Sequence, residues 1–435
     1  AHRRATVGAI EGARVGFELG ARLGARLGVR LGARLGARLG VRLGSRVGAR
    51  LGARVMLLER QGMLGGMASS AHVHSICGLY QLRKSEEDPL LPTNSGFPME
   101  FAQRLLKIGC ARGPVRAGQL DILLHQPAGF AYLADLLVHA EPGLEVCLHS
   151  ELVEIELDGS KKIGGIRIRS RGKMQNLEAA IYIDTTGDAE VALLSGADFE
   201  CAPTHILQRP AYIFSVGGVD ADLFCDTGRL EIARKIAYAV SAQNLPPDAL
   251  GIAFRQGVMP TEVWGTIDLE AKGFDPCAGE GLTAMESRGR FLAKAVMDFL
   301  KKNDEGFSKS YISSFPARVG VRESRRVMGL MELTENDILT GARFEDEVAF
   351  SSWPIELRET TRGPKFRFPQ ENRSCGIPLR CLQSRNIQNL FMAGRCISAT
   401  HGAQAALRVI GTGMAMGEAA GKAAAQAVQN LNFPS

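Results

Sequence analysis

Ala53-Arg-Val-Met-Leu-Leu-Glu-Arg-Gln-Gly-Met-Leu-Gly-Gly-Met-Ala68 is the stretch on which the fold turns. Its first half is a short apolar run, Val55 to Leu58, that closes on an acid, Glu59. Such a run reads as a strand buried on both faces, and strands of that kind belong to parallel sheets. An acid at the carboxyl end of the second strand of a dinucleotide fold can accept the hydroxyls of an adenosine ribose, although a solvated strand end carries the same residue type. The second half pairs Gly65 with Gly66, where a missing Cβ lets the backbone approach a diphosphate. By itself that pair is also compatible with a plain turn.

Upstream the texture differs abruptly. Glycine recurs at every fourth position from Gly8 to Gly52, and arginine at every fourth position from Arg22 to Arg54. A period of four drifts only about 40° per unit on a helix, so a helix is geometrically possible. Each interior glycine costs about 1 kcal/mol relative to alanine, which leaves disorder or a marginal helix as the expectation for residues 1–52. An arginine-lined surface for phosphates or lipid headgroups, or close helix packing, are the alternatives.

Downstream, a helix is expected over 127–140, entered by Pro127, followed by strands near 144–149, 152–157, 163–169 and 177–183 that form a meander beside a parallel strand. Residues 206–375 are less regular, with helices expected near 229–243 and 284–302 and strands near 211–216 and 348–354. Sharp patterning returns in Asn389-Leu-Phe-Met-Ala-Gly-Arg395, a buried strand running into a glycine turn. One long helix is expected after it, from about 403 to 428, whose start offers free N–H groups and a partial positive charge.

The bulk numbers bound the class. The chain has 435 residues, enough for two or three packing units. The net charge of +6 hides a split: residues 1–54 hold twelve arginines against Glu11 and Glu18, a surplus of ten, so the remainder sums to −4. Basicity therefore belongs to one segment, and nucleic acid is not expected as a partner of the body. The nine cysteines form no CxxC pair and no Cys/His cluster of metal-binding spacing, so no metal is expected. No run of eighteen uncharged apolar residues is present, and a cytoplasmic protein without a membrane span is expected.

Four ordered blocks carry a resemblance: Glu59 to Ala68, Ile183-Asp-Thr-Thr-Gly-Asp-Ala-Glu-Val-Ala192, Arg322-Glu-Ser-Arg-Arg-Val-Met-Gly329 and Asn389 to Ser398. Together they resemble the FAD-dependent oxidoreductases, two-domain flavoproteins distantly similar to the fumarate reductase and succinate dehydrogenase flavoproteins. The resemblance implies an α/β fold: a discontinuous Rossmann-like FAD-binding domain with an inserted α+β substrate domain. The boundaries expected are 1–52 for the repeat, 53–205 for the first part of the FAD domain, 206–375 for the substrate domain and 376–435 for the return. For the cofactor it implies Glu59 at the adenosine ribose and Gly65 and Gly66 near the diphosphate, with Arg60, Met67 and Ala68 also cofactor-binding. Thr186, Gly187 and Asp188 fall on the adenine side, with Gly394, Arg395, Ala403 and Ala406 along the ribityl chain and flavin.

The family opens with a strand and a glycine loop about twenty residues before the acidic strand end. This chain has repeats there; Gly32, Gly36 and Gly40 lie at the right distance, but their spacing is four and no strand precedes them. The expectation is that the repeat has replaced the opening strand and loop and weakened or abolished flavin binding.

For the reaction, the candidates are Arg322, because a guanidinium captures an anionic group in two-pronged fashion, and His74 and His401, because imidazole exchanges protons near neutrality. The function expected is transfer of a hydride equivalent between a small molecule and flavin N5. The alternatives are a degenerate flavoprotein fold serving as a non-catalytic binding module, and an RNA-linked flavoenzyme. Substrate and oligomeric state are not legible.

Overall fold

The computed structural model describes residues 32–36, 44–220, 226–270, 273–360 and 363–432. Its centre is a five-stranded sheet in the spatial order Leu390–Met392, Tyr182–Thr185, Gly32–Gly36, Val55–Leu58, Leu144–Cys147, with every neighbouring pair parallel. Val55 to Leu58 are all buried, as their unbroken apolar run predicts.

Successive residues alternate between the two faces of this sheet. Met56, Leu58, Tyr182, Leu390 and Met392 pack with Ile163, Ile166 and Ile168 of an antiparallel meander, Ser150–Leu157, Ile163–Ser170 and Lys173–Leu177. Leu57 faces the other way, onto Phe101, Phe130 and Leu133 of the helices Phe97–Lys107 and Pro127–His139. Ile183 and Phe391 join a further core with Ala420 and Ala424 of the helix Ile410–Asn432.

The repeat departs from expectation. Rather than displacing the opening strand, it supplies it: Gly32 lies opposite Val55, and Leu35 opposite both Leu58 and Asp184. The flanking strands present rows of backbone N–H and C=O groups that only an extended segment can satisfy, and that demand overrides weak local propensity. Gly44–Arg50 then forms a helix packed on Ile410–Asn432. Its buried Arg46 donates to Glu141 at 3.0 Å and to Glu100 at 2.8 Å, and Arg50 to Glu141 at 2.9 Å. Residues 1–31 and 37–43, with Gly40, lie outside the described residues.

A second correction concerns the end of the chain, where two helices, His401–Leu407 and Ile410–Asn432, replace the single one expected. Gly411 gives its N–H to the carbonyl of Cys77 at 2.9 Å instead of to the preceding turn, and the helix restarts there. The chain between residues 69 and 126 adds elements for which no expectation was formed, Phe97–Lys107 and the hairpin Ala111–Ala117 with Leu120–His125.

The intervening region builds an antiparallel sheet in the order Ile252–Gln256, Val263–Asp268, Ala211–Gly217, Tyr311–Ser314. Tyr212, Phe214, Phe254, Val263 and Ile267 bury one face under the helices Asp226–Ser241 and Gly279–Asn303. Among the described residues no helix joins the core on the opposite face in the same way. The whole is a Rossmann-like sheet interrupted by an inserted α+β unit. No helix among the described residues is long and apolar enough to cross a membrane.

Candidate active site

Because the strands of the main sheet are parallel, their carboxyl ends share one edge, where such folds bind ligands. The segments leaving that edge wall a cavity of about 370 Å³. Gly65, Met67 and Ala68 follow the Val55–Leu58 strand; Thr185 and Gly187 end the next; Ala393, Gly394 and Arg395 follow Leu390–Met392; and Val409, Ile410 and Gly413 come from the break and restart of the last helix. The opposite wall is the uncovered face of the antiparallel sheet, through Ala211, Ile213, Ala253, Arg255, Thr266 and Asp268. The strand period of two explains the division, since their immediate neighbours Tyr212, Phe214, Phe254 and Ile267 fill the core behind.

Gly65 illustrates how local chemistry shapes the near wall. Its φ is +123°, and a Cβ there would stand 2.0 Å from the Ser69 hydroxyl, which itself donates to Leu64 O at 2.8 Å. Only glycine fits. Arg395 is buried; one nitrogen binds Asp188, while Nε and Nη1 have no hydrogen-bond acceptor among the described residues. Asp188 is also tied to the Ser324 hydroxyl at 2.8 Å and to Arg318 at 3.8 Å. A buried guanidinium with idle donors at the strand edge suits an anionic group such as a diphosphate.

The positions marked from sequence are divided between the cavity and its surroundings. Gly65, Met67, Ala68, Gly187, Gly394 and Arg395 line the cavity, as do Arg322 and His74. Glu59 is buried at the same edge, its Oε1 accepting the Gln61 N–H at 2.7 Å, and Arg60 pairs with Glu190 at 2.7 Å beside a separate shallow basin with His149, Arg169 and Arg171. Thr186 spends both its N–H and its hydroxyl on Asp184, and Gly66 opens the short 3-10 turn Gly66–Ala68. Ala403 and Ala406 are enclosed in the hydrophobic core instead of facing the cavity, because the helix His401–Leu407 is buried on nearly all sides.

The two histidines differ. His74 stacks on Trp264, with ring centroids 5.2 Å apart. Burial, helped by the nearby charge of Arg255, pushes its pKa down to about 3, so it is neutral at physiological pH and offers a hydrogen bond in place of a proton. His401 does not reach the cavity. Burial alone would lower its pKa, but hydrogen bonding and charge from Glu323 at 2.9 Å, with Glu359 at 3.5 Å, raise it above the usual value.

Sequence reasoning missed the charged group at the far end of the cavity. Asp268 pairs with Arg322 at 2.7 Å and Arg358 at 2.8 Å; Glu356 accepts from Arg358 at 2.7 Å and from the Trp353 indole at 3.0 Å. Although burial pushes both carboxyls up, the arginines hold them below the usual range. Burial lowers Arg322 to about 10 and also lowers Arg255 and Arg408. A legible signal existed: Arg255, Asp268 and Glu356 each interrupt a short apolar strand. Among the described residues no cluster of metal-binding side chains is present.

Residues 45–434 match the family described as FAD dependent oxidoreductase. Among solved structures, the chain is similar to a geranylgeranyl bacteriochlorophyll reductase-like protein of Thermoplasma acidophilum, with 12% identity, 92% of this chain and 78% of that one covered, and a TM-score of 0.44. It is also similar to the p-nitrophenol 4-monooxygenase PnpA of Pseudomonas putida DLL-E4, with 12% identity, 93% and 80% covered and a TM-score of 0.42. A third is PqsL of Pseudomonas aeruginosa, a probable FAD-dependent monooxygenase, with 12% identity, 93% and 87% covered and a TM-score of 0.41. No curated protein sequence matches the chain.

Proposed function

The chain belongs to the FAD-dependent oxidoreductase family, and from that premise we propose that it transfers a hydride equivalent between a small molecule and FAD inside the cavity between its two sheets. One observation carries this reading: the cavity is continuous from the strand edge, with Gly65, Gly187 and Gly394, to the charged face of the antiparallel sheet. Cofactor and substrate thereby share one enclosure.

FAD supplies, when bound, a ring that takes or gives two electrons with a proton. The chain's own residues bind and orient. Glu59 takes the adenosine ribose, Thr186 to Asp188 shape the turn on the adenine side, and Arg395 turns its idle Nε and Nη1 donors to the diphosphate. Gly65 to Ala68 and Gly394 border the remainder of the cofactor, and the start of the helix Ile410–Asn432 brings the positive end of its dipole to the cavity wall. At the substrate end, neutral His74 accepts or donates a hydrogen bond, while Arg322 fixes Asp268. The antiparallel sheet and its helices, within 206–375, serve as the substrate domain and exclude water.

The test is the visible spectrum of the purified full chain. Stoichiometric flavin absorbance that bleaches under anaerobic addition of a reductant is expected, and Arg395→Met should lower flavin affinity at least tenfold. A wild-type protein that takes up no FAD on dialysis against excess sinks the reading and favours a non-catalytic binding module.

A further inference from the structure

Four arginines, Arg255, Arg322, Arg358 and Arg408, line the substrate end against only two carboxylates, Asp268 and Glu356. The partners are not shared evenly. Arg322 and Arg358 divide Asp268 between them at 2.7 and 2.8 Å, and Arg358 also holds Glu356 at 2.7 Å. Among the described residues, Arg408 has only the main-chain oxygen of Glu356 at 3.3 Å and its carboxylate at 4.0 Å, and its buried Nε has no acceptor there. Arg255 lines the cavity from the Ile252–Gln256 strand and keeps an exposed surface although its surroundings partly desolvate it; among the described residues it has no hydrogen bond or ion pair. Two positive charges are therefore left over.

Solvent can reach the exposed Arg255, and a ligand that fills the cavity would displace it. An ion left dehydrated without a partner is strongly disfavoured, so a neutral ligand is penalised and an anionic one is not. Around the arginines the walls are apolar, through Leu120, Ile122, Ile213, Trp353, Phe366 and Val409. The idle donors, the whole Arg255 guanidinium and one N–H of Arg408, can pair in plane with the two oxygens of a carboxylate.

We infer that Arg255 and the Nε of Arg408 form a clamp for the carboxylate of an amphipathic substrate whose aliphatic or aromatic body lies against these apolar walls. This rests on the reading of the cavity as a flavoenzyme site, but it is tested separately from it. Trp353 lines the cavity and the chain has only one other tryptophan, so indole fluorescence reports filling with or without flavin.

The full chain is titrated with phenylacetate, 4-phenylbutyrate and octanoate, with the amide of each, and with phenylphosphonate. At least one acid is expected to bind tenfold or more tightly than its amide. Arg255→Gln and Arg408→Gln should each reduce that ratio at least threefold while amide binding and flavin content stay as in the wild type, and Arg255→Lys should fall between. Acids that bind no better than their amides overturn the clamp, as does a phosphonate preferred over every acid. Loss of flavin from Arg255→Gln with the acid preference intact assigns Arg255 to the cofactor and likewise overturns it. Absence of flavin from the wild type, with the acid preference present, sinks the flavoenzyme reading and leaves the clamp standing.

Discussion

Arg46 and Arg50 carry the same side chain one helical turn apart, yet their surroundings make their energetic roles differ. Arg46 is buried between Glu141 and Glu100, whereas Arg50 is about half exposed. Removing one partner of a buried pair costs about 3–5 kcal/mol, against about 0–1 kcal/mol for an exposed pair. Arg46→Ala is therefore expected to lower the urea midpoint strongly and Arg50→Ala barely; equal effects refute the assigned burial. Protons act at this scale too. Burial holds His74 at about 3 and His125 at about 4, while the unfolded chain titrates near 6.5. The stabilisation from keeping each ring neutral is complete above pH 6.5 and is lost as the pH falls toward the folded values. For His125 the loss is about 3 kcal/mol by pH 4. His125→Asn should flatten the stability profile between pH 6.5 and 4, read by denaturant melts at each pH. His401 has the opposite sign: its raised pKa stabilises below pH 6.5 and fades as the pH climbs through the folded value.

Among the elements, the strand Gly32–Gly36 and the restart of the last helix hold the cavity's frame. The strand sits between two parallel neighbours, so an inserted proline breaks ladders rather than an edge. Leu35→Pro should remove a ladder hydrogen bond and destabilise the sheet, seen as a lower melting temperature or loss of soluble protein. At the restart, a Cβ on Gly411 would stand 2.8 Å from Cys77 O, a backbone atom that cannot swing away. Gly411→Val is expected to push Ile410 and Gly413 out of the cavity wall, weakening flavin retention more than stability; unchanged flavin content contradicts that coupling.

The whole molecule closes one enclosure from segments far apart in the chain. Anything that binds the folded state alone must then stabilise both sheets together. FAD at a hundredfold excess over its dissociation constant should raise stability by about 2.7 kcal/mol. A calorimetric trace in which only part of the unfolding enthalpy moves upward with FAD runs against a shared enclosure.

Four apolar residues ending on Glu59, the Gly65–Gly66 pair and the Leu390–Met392 strand with its glycine turn settled in advance that the fold is α/β with a parallel sheet, because burial on both faces leaves an unbroken apolar run and close backbone approach demands glycine. The first two meander strands and the inserted helices were legible for the same reason, as periodicity records which face is buried, whereas the strand expected at 177–183 is divided between Lys173–Leu177 of the meander and Tyr182–Thr185 of the parallel sheet. Two matters had no such trace. That a glycine–arginine repeat becomes a central strand follows from the hydrogen-bonding rows of its neighbours, not from its own propensity. That Arg255, Asp268, Glu356, Arg358 and Arg408 meet at one end of a cavity follows from which face of the antiparallel sheet the helices cover, a choice made only when distant segments pack.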